Sequence, residues 1–284
     1  MDTLFAAPSA AAVAADIGFL VPHPERPFDY GGEPPPGAPP ATTRFESRRV
    51  LIRDVRSHSP LSLAANGAEL LDWPTRVRNF YDDQELQRRY YPEAAEIIAA
   101  VLGATRVIVF DHNVRRGYRA EVGVSRYPVS RPVRHAHVDY SESSASQRLH
   151  RELGAPPGSL AGTRFMQVNL WRPIRAPLRD APLAICDGAT VSRSSLRVAD
   201  LRYPDRTGEL YYLAYQPEQR WYFASDMSVA EAWLFKNFDS NGDARARQAP
   251  HSAFEDPRAL LTIPRESIEV RALALFGEAE PRRS

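Results

Sequence analysis

The sequence predicts a mainly β domain with flanking helices. Segments of strand type follow one another from about residue 106 to residue 276, while one helix-period segment lies early, at 82–102. Strands therefore do not alternate with helices as a doubly wound parallel sheet requires, and an antiparallel sandwich or barrel is expected. A chain of 284 residues suits one large domain. We divide it into an N-terminal extension with a proline-rich arm, 1–44, and a single domain, 45–284. No internal repeat is visible.

The opening segment, MDTLFAAPSAAAVAADIGFL, lacks a basic start and carries Asp2 and Asp16, so a signal peptide is not expected. Residues 22–40, PHPERPFDYGGEPPPGAPP, hold too much Pro and Gly for a helix or a central strand. RFESRRVLIRDVR then reads as a strand, with Val50, Ile52 and Val55 as its apolar positions. From Asp82 to Leu102 a helix is expected, capped by Asp82 or Asp83, striped by Leu86, Tyr90, Ile97, Ile98 and Val101, split at Pro92 and stopped by Gly103. RVIVFDHNVRR (106–116) reads as a buried strand with His112 as a strand-end polar residue. Further strands are RFMQVNLWRPI (164–174), PLAICD (182–187), ELYYLAYQ (209–216) and RWYFASD (220–226), the last two joined by a hairpin-like turn at 217–219. Ser228 followed by Glu231 has the spacing of a capping box, so a short helix is expected through Phe235. ESIEVRALALF (266–276) is the last strand.

A net charge of +1 gives no basic excess to hold a phosphate backbone, and nucleic acid is not an expected partner. Lys236 is the sole lysine, so 35 of the 36 basic residues are Arg. No apolar run reaches membrane-spanning length, and no membrane association is expected. Cys186 stands alone, which suits a small buried apolar residue in a reducing compartment, the cytoplasm by default.

RHAHVDYSESS places two of the seven histidines and an aspartate within five residues. On an extended strand His137 and Asp139 project from one face, with Val138 on the other. His135 shares that face, and a salt-bridged exposed strand would show the same alternation. Two histidines and one carboxylate with open positions is the ligand set of non-haem Fe(II) oxygenases. A second histidine is available in QAPHSAFEDP, at His251, and is followed by Arg265 and Arg271. A guanidinium there could pair with the distal carboxylate of 2-oxoglutarate. Arg265, Ser267, Glu269 and Arg271 share one face by parity, so either arginine could serve.

The segments RHAHVDYS, VNLWRPI, PLAICD, YQPEQRWYFASDM, LFKNFDS, APHSAFEDP and PRESIEVRAL, in this order, resemble the fungal and bacterial 2-oxoglutarate/Fe(II) hydroxylase and desaturase family. That family includes cephalosporin 7-alpha-methoxylase-like proteins, the fungal gibberellin desaturase and aspergillic-acid-type hydroxylases. The resemblance covers roughly residues 45–276. It implies a double-stranded β-helix (jelly-roll) core, Fe(II), 2-oxoglutarate as co-substrate, dioxygen, and a small natural-product substrate that is hydroxylated or desaturated. Carried over by position, His137, Asp139 and His251 are the metal ligands, and Arg265 or Arg271 binds 2-oxoglutarate.

Tyr140, Asn169, Trp171, Arg172 and Trp221 are candidate substrate contacts, although aromatics of this kind more often fill a core. Lys236 and Asp239 could simply pair. The sequence carries no G-x-S-x-G elbow, P-loop or dinucleotide-binding glycine pattern. Two rivals stand beside the oxygenase reading: a catalytically silent or partner subunit of a related oxygenase, and a cupin-like metalloenzyme that does not use 2-oxoglutarate. An arm reaching a neighbouring subunit would make the protein a homodimer.

Overall fold

The computed structural model describes residues 11–117, 130–259 and 263–277. In chain order the strands are β1 (Ala12–Leu20), β2 (Phe28–Tyr30), β3 (Phe45–Asp54), β4 (Ala68–Asp72), β5 (Arg106–Arg116), β6 (His137–Val138), β7 (Arg164–Pro173), β8 (Leu183–Cys186), β9 (Leu196–Arg202), β10 (Thr207–Leu213), β11 (Trp221–Phe223), β12 (Glu231–Asp239), β13 (His251–Ala253) and β14 (Glu266–Phe276). The α-helices are α1 (Leu63–Asn66), α2 (Asp83–Glu85), α3 (Tyr91–Leu102) and α4 (Glu142–Leu153). The strands form a nine-stranded sheet, β1-β3-β11-β8-β13-β6-β10-β9-β2, and a five-stranded sheet, β4-β12-β7-β14-β5. The two curled sheets make the double-stranded β-helix that the sequence motifs imply.

Each face of the five-stranded sheet has its own partner. Val168, Leu170, Ala232, Leu234, Ile268, Val270 and Ala272 form one core with Tyr90, Ala94, Ile97 and Ile98 of the helical segment. The alternate residues Trp171, Trp233 and Phe235 turn the other way and pack with Leu183 and Ile185 of β8. A strand buried on both faces shows no polar alternation. That explains the main correction to the sequence reading: 231–239 is strand β12, not the end of a helix. The capping contact exists, since Ser228 N donates to Glu231 Oε2 at 2.8 Å. Pairing with β4 and β7 nevertheless outweighs that local preference.

The helical segment at 82–102 is present and capped by Asp82, whose Oδ1 accepts from Gln84 N at 2.9 Å. Pro92 does not split it. A wide π-helical turn at Leu86–Tyr90 leads directly into α3, and Pro92 falls in the first turn of α3, where a backbone N–H is not needed. Gly103 closes α3 at φ 65°, a left-handed conformation natural to glycine.

Three further expectations change. β10 and β11 are not a hairpin: β10 lies between β6 and β9, and β11 between β3 and β8. The segment before residue 45 is more than an extension, because β1 pairs with β3 over nine residues and buries Val13, Ala15, Ile17 and Phe19. His112 is inside β5, where Tyr91 Oη lies 2.8 Å from Nδ1 and Asp83 lies 3.2 Å from Nε2, so it ties the helical segment to the sheet. The proline-rich arm contains only the three-residue edge strand β2, paired with β9 of the same chain. Cys186 is fully buried, and burial pushes its thiol well above the ordinary range. Among the described residues no helix is long and apolar enough to cross a membrane.

Candidate metal centre

Neighbouring strands of the large sheet bring the two histidines together. β6 and β13 run antiparallel, and His251 is the register partner of His137. Their rings are 4.4 Å apart, and both residues are almost wholly buried. His137 Nδ1 lies 2.9 Å from the His135 carbonyl, and His251 Nδ1 lies 3.4 Å from the Ala249 carbonyl. A carbonyl only accepts, so Nδ1 carries the proton in each ring and Nε2 presents a lone pair.

Asp139 follows β6, and its backbone N donates to Asn237 Oδ1 at 3.1 Å. Its Oδ2 accepts from Asn169 Nδ2 at 2.9 Å and from Arg271 Nε at 2.8 Å. The other oxygen, Oδ1, faces Nε2 of His137 at 3.5 Å and Nε2 of His251 at 3.9 Å. The ligand atoms of His137, Asp139 and His251 thus lie within 4.8 Å of one another. Two neutral imidazoles and one carboxylate, each oriented by a bond on its far side, suit a divalent transition metal such as Fe(II).

The electrostatics agree with this donor set. Burial, with the neighbouring His137, pushes His251 down to about 3, so its imidazole is neutral at physiological pH. Burial alone would raise Asp139, but the Arg271 guanidinium holds it well below the usual carboxylate range. Arg271 is a fork among three carboxylates, donating also to Asp111 at 2.9 Å and to Glu269 at 3.1 Å.

Arg265 and Arg271, which parity cannot separate, have different surroundings. Arg265 is buried beside the metal ligands and lines a narrow pocket with His137, His251, Trp171, Ser252, Glu269 and Arg115. Its Nε donates to Ser267 Oγ at 2.9 Å, its Nη1 donates to the Ala181 carbonyl at 2.6 Å, and its guanidinium lies 5.0 Å from the centre of the Trp171 ring. Arg271 instead lines a second, larger cavity of about 580 Å³ that shares His137 with the pocket and includes Asp139, Tyr140 and Tyr212. The proline-rich arm supplies Asp29, Tyr30 and Gly31 to the same cavity.

The remaining candidates divide by strand parity. Asn169 and Trp171 point inward from β7, one to Asp139 and one to the narrow pocket. Arg172 points the opposite way, into the helix-facing core, where it bonds Tyr90 Oη at 3.1 Å and the Trp73 carbonyl at 3.1 Å. Trp221 packs on Phe19 in a core cluster with Ile52 and Phe254, and lines neither cavity. Sequence reasoning missed Arg115, Asp111 and Asn237. The alternation D-x-N-x-R in β5 was a usable signal, because polar residues two apart on a buried strand mark an inward polar face.

Comparison with known proteins places this geometry in a family. The family model described as "Oxidoreductase/YMDC permease-like domain" matches residues 17–275. The hydroxylase/desaturase efuI of Hormonema carpetanum is 32% identical over 259 residues, 84% of this chain and 86% of that protein. The hydroxylase/desaturase CTB9 of Cercospora beticola is 30% identical over 258 residues, covering 84% and 79%. The Fe(II)/2-oxoglutarate-dependent dioxygenase nvfI of Aspergillus novofumigatus is 29% identical, covering 87% and 90%. Among solved structures, a second conformation of the iron and alpha-ketoglutarate-dependent endoperoxidase NvfI superposes with a TM-score of 0.83 at 25% identity, over 95% of this chain and 100% of that one. With matches of this length on a shared β-helix and a buried His-Asp-His cluster, the chain belongs to the hydroxylase/desaturase family of Fe(II)/2-oxoglutarate-dependent oxygenases.

Proposed function

We propose that this chain is an Fe(II)/2-oxoglutarate-dependent oxygenase that hydroxylates or desaturates a small secondary metabolite in the cytoplasm. The carrying observation is the convergence of His137 Nε2, His251 Nε2 and Asp139 Oδ1 beside a pocket that Arg265 lines. Fe(II) with 2-oxoglutarate and dioxygen supplies the oxidant that removes hydrogen from an unactivated carbon, with release of succinate and carbon dioxide.

His137, Asp139 and His251 hold the metal, and the carbonyls of His135 and Ala249 keep both imidazoles in the ligating tautomer. Arg265, steadied by Ser267, takes the distal carboxylate of 2-oxoglutarate, and Trp171 forms an apolar wall beside it. Arg271 keeps Asp139 charged and fixed, which removes it from competition for the co-substrate. The substrate occupies the larger cavity, whose volume falls within the range of small-molecule sites. Tyr140 and Tyr212 present phenol groups there. The cytoplasmic assignment is supported by the single unpaired cysteine.

The reading is tested by incubating the protein aerobically with Fe(II) and 2-oxoglutarate and measuring succinate, first alone and then with a panel of natural products. Iron-dependent succinate release, abolished in His251→Ala, supports it. A true substrate raises the rate and gains one oxygen or loses two hydrogens by mass. Iron-dependent turnover of a panel compound without 2-oxoglutarate would favour the cupin-like rival, and an iron-loaded protein that never releases succinate would favour the silent subunit.

A further inference from the structure

Arg115 is a guanidinium with few partners for its position. It shares strand parity with Asp111 and Asn113, and its register partner across the ladder is Ser267, the residue that steadies Arg265. The inner rows of β5 and β14 therefore face one another as Arg115 to Ser267, Asn113 to Glu269 and Asp111 to Arg271. The two arginines are used differently. Arg271 spends its donors on Asp139, Asp111 and Glu269. Arg115, with five donors available, makes one hydrogen bond among the described residues, from Nη1 to the Arg131 carbonyl at 2.8 Å. Among the described residues it has no ion-pair partner.

Arg115 is also where the two cavities meet. Among the described residues, those that line both the narrow pocket and the larger cavity are Arg115, Val133 and His137. Val133 is apolar and His137 is committed to the metal, so the cation at the junction is Arg115. A dianionic co-substrate enters a site that already contains the carboxyl groups of Asp139 and Glu269. Arg271 is occupied by those groups and by Asp111. Two further arginines line the narrow pocket: Arg265, which lines the pocket alone, and Arg115, which lines both the pocket and the cavity.

We propose that Arg115 is a second carboxylate anchor for 2-oxoglutarate, gripping the carboxylate of its 2-oxo acid end, while Arg265 takes the distal carboxylate. The proposal rests on the Fe(II)/2-oxoglutarate reading and adds a recognition residue to it. Arg115 acts by binding and orienting the co-substrate.

The test is anaerobic calorimetry of the Fe(II)-loaded full chain with two acids: 2-oxoglutarate, and 2-oxopentanoate, which keeps the 2-oxo acid end and lacks the distal carboxylate. Arg115→Gln weakens both acids by about tenfold or more, the worth of a charge-assisted hydrogen bond. Arg265→Gln weakens 2-oxoglutarate only. Arg115→Lys recovers part of the loss, and Fe(II) affinity without either acid is unchanged throughout. An Arg115→Gln protein that binds 2-oxoglutarate within about twofold of wild type overturns the proposal, as does one that loses 2-oxoglutarate but not 2-oxopentanoate. A wild-type protein that binds Fe(II) but not 2-oxoglutarate refutes the co-substrate reading itself, a separate failure.

Discussion

Arg271 Nε donates to Asp139 Oδ2 at 2.8 Å, on the side of the carboxylate away from the two imidazoles. That one bond leaves Oδ1 directed at the metal position and fixes the charge it carries. Arg271→Leu strands three carboxylates around a buried gap. Fe(II) affinity falls by about 10–100-fold, as when a ligand loses its supporting partner. The fold loses about 3–5 kcal/mol, the cost of removing one partner from a buried ion pair. Fe(II) titration and a thermal melt measure the two effects separately.

Arg265→Leu has a different signature. It leaves His137, Asp139 and His251 with their hydrogen bonds intact, so Fe(II) affinity stays within about threefold of wild type, while the half-saturation for 2-oxoglutarate rises by about tenfold or more. The contrast between the two leucine variants, read as metal affinity against co-substrate affinity, assigns the two arginines.

The sole lysine is a buried strut. Lys236 Nζ donates to Asp239 Oδ2 at 2.8 Å and to the Ala246 carbonyl at 3.2 Å, which pins the segment leading to His251. Lys236→Met removes this partner but leaves Asp239 its ion pair with Arg164 at 2.8 Å, so the cost is about 2–3 kcal/mol, below that of a fully uncompensated buried charge. In a protein of this size that lowers Tm by several degrees. An amine-reactive reagent leaves Lys236 unmodified in the native protein and labels it in denaturant, as peptide mass spectrometry would report.

The metal-free protein loses stability in acid through His251. Its imidazole is held down to about 3, against 6.5 for an unburied histidine. Between those values the unfolded chain binds a proton that the native state does not, so stability rises with pH. The slope from this one group is at most about 1.4 kcal/mol per pH unit. Above pH 6.5 both states are neutral and the contribution is level. His135, lowered in the same direction by burial and by His137, adds to the effect. Melting curves from pH 8 to pH 5 are flat at first and then fall, and His251→Phe reduces the fall.

The parts of this molecule legible in sequence were those that depend on parity. His137 with Asp139 and the row Arg265, Ser267, Glu269, Arg271 all followed from the period of an extended strand. Parity also shows that Asn169 and Arg172 cannot face the same way, and the structure turns Arg172 to the helices. Parity could not separate Arg265 from Arg271, six residues apart and so about 20 Å along one strand. Their partners elsewhere in the fold tell them apart: Asp139 and Asp111 for Arg271, the Ala181 carbonyl and Trp171 for Arg265. The strand at 231–239 was hidden for another reason. Ala232 to Asp239 are buried on both faces, so neither a period of two nor one of 3.6 is written there, and the local Ser228–Glu231 contact suggested a helix.

If His137, Asp139 and His251 hold iron for 2-oxoglutarate, anaerobic titration of the metal-free protein with Fe(II) and then 2-oxoglutarate shows it, because the chelated pair gives a weak visible charge-transfer band. The band saturates at one Fe(II) per chain in wild type and is absent in His137→Ala; no band in wild type, or a band that survives in His137→Ala, would mean that these three residues do not hold iron for 2-oxoglutarate.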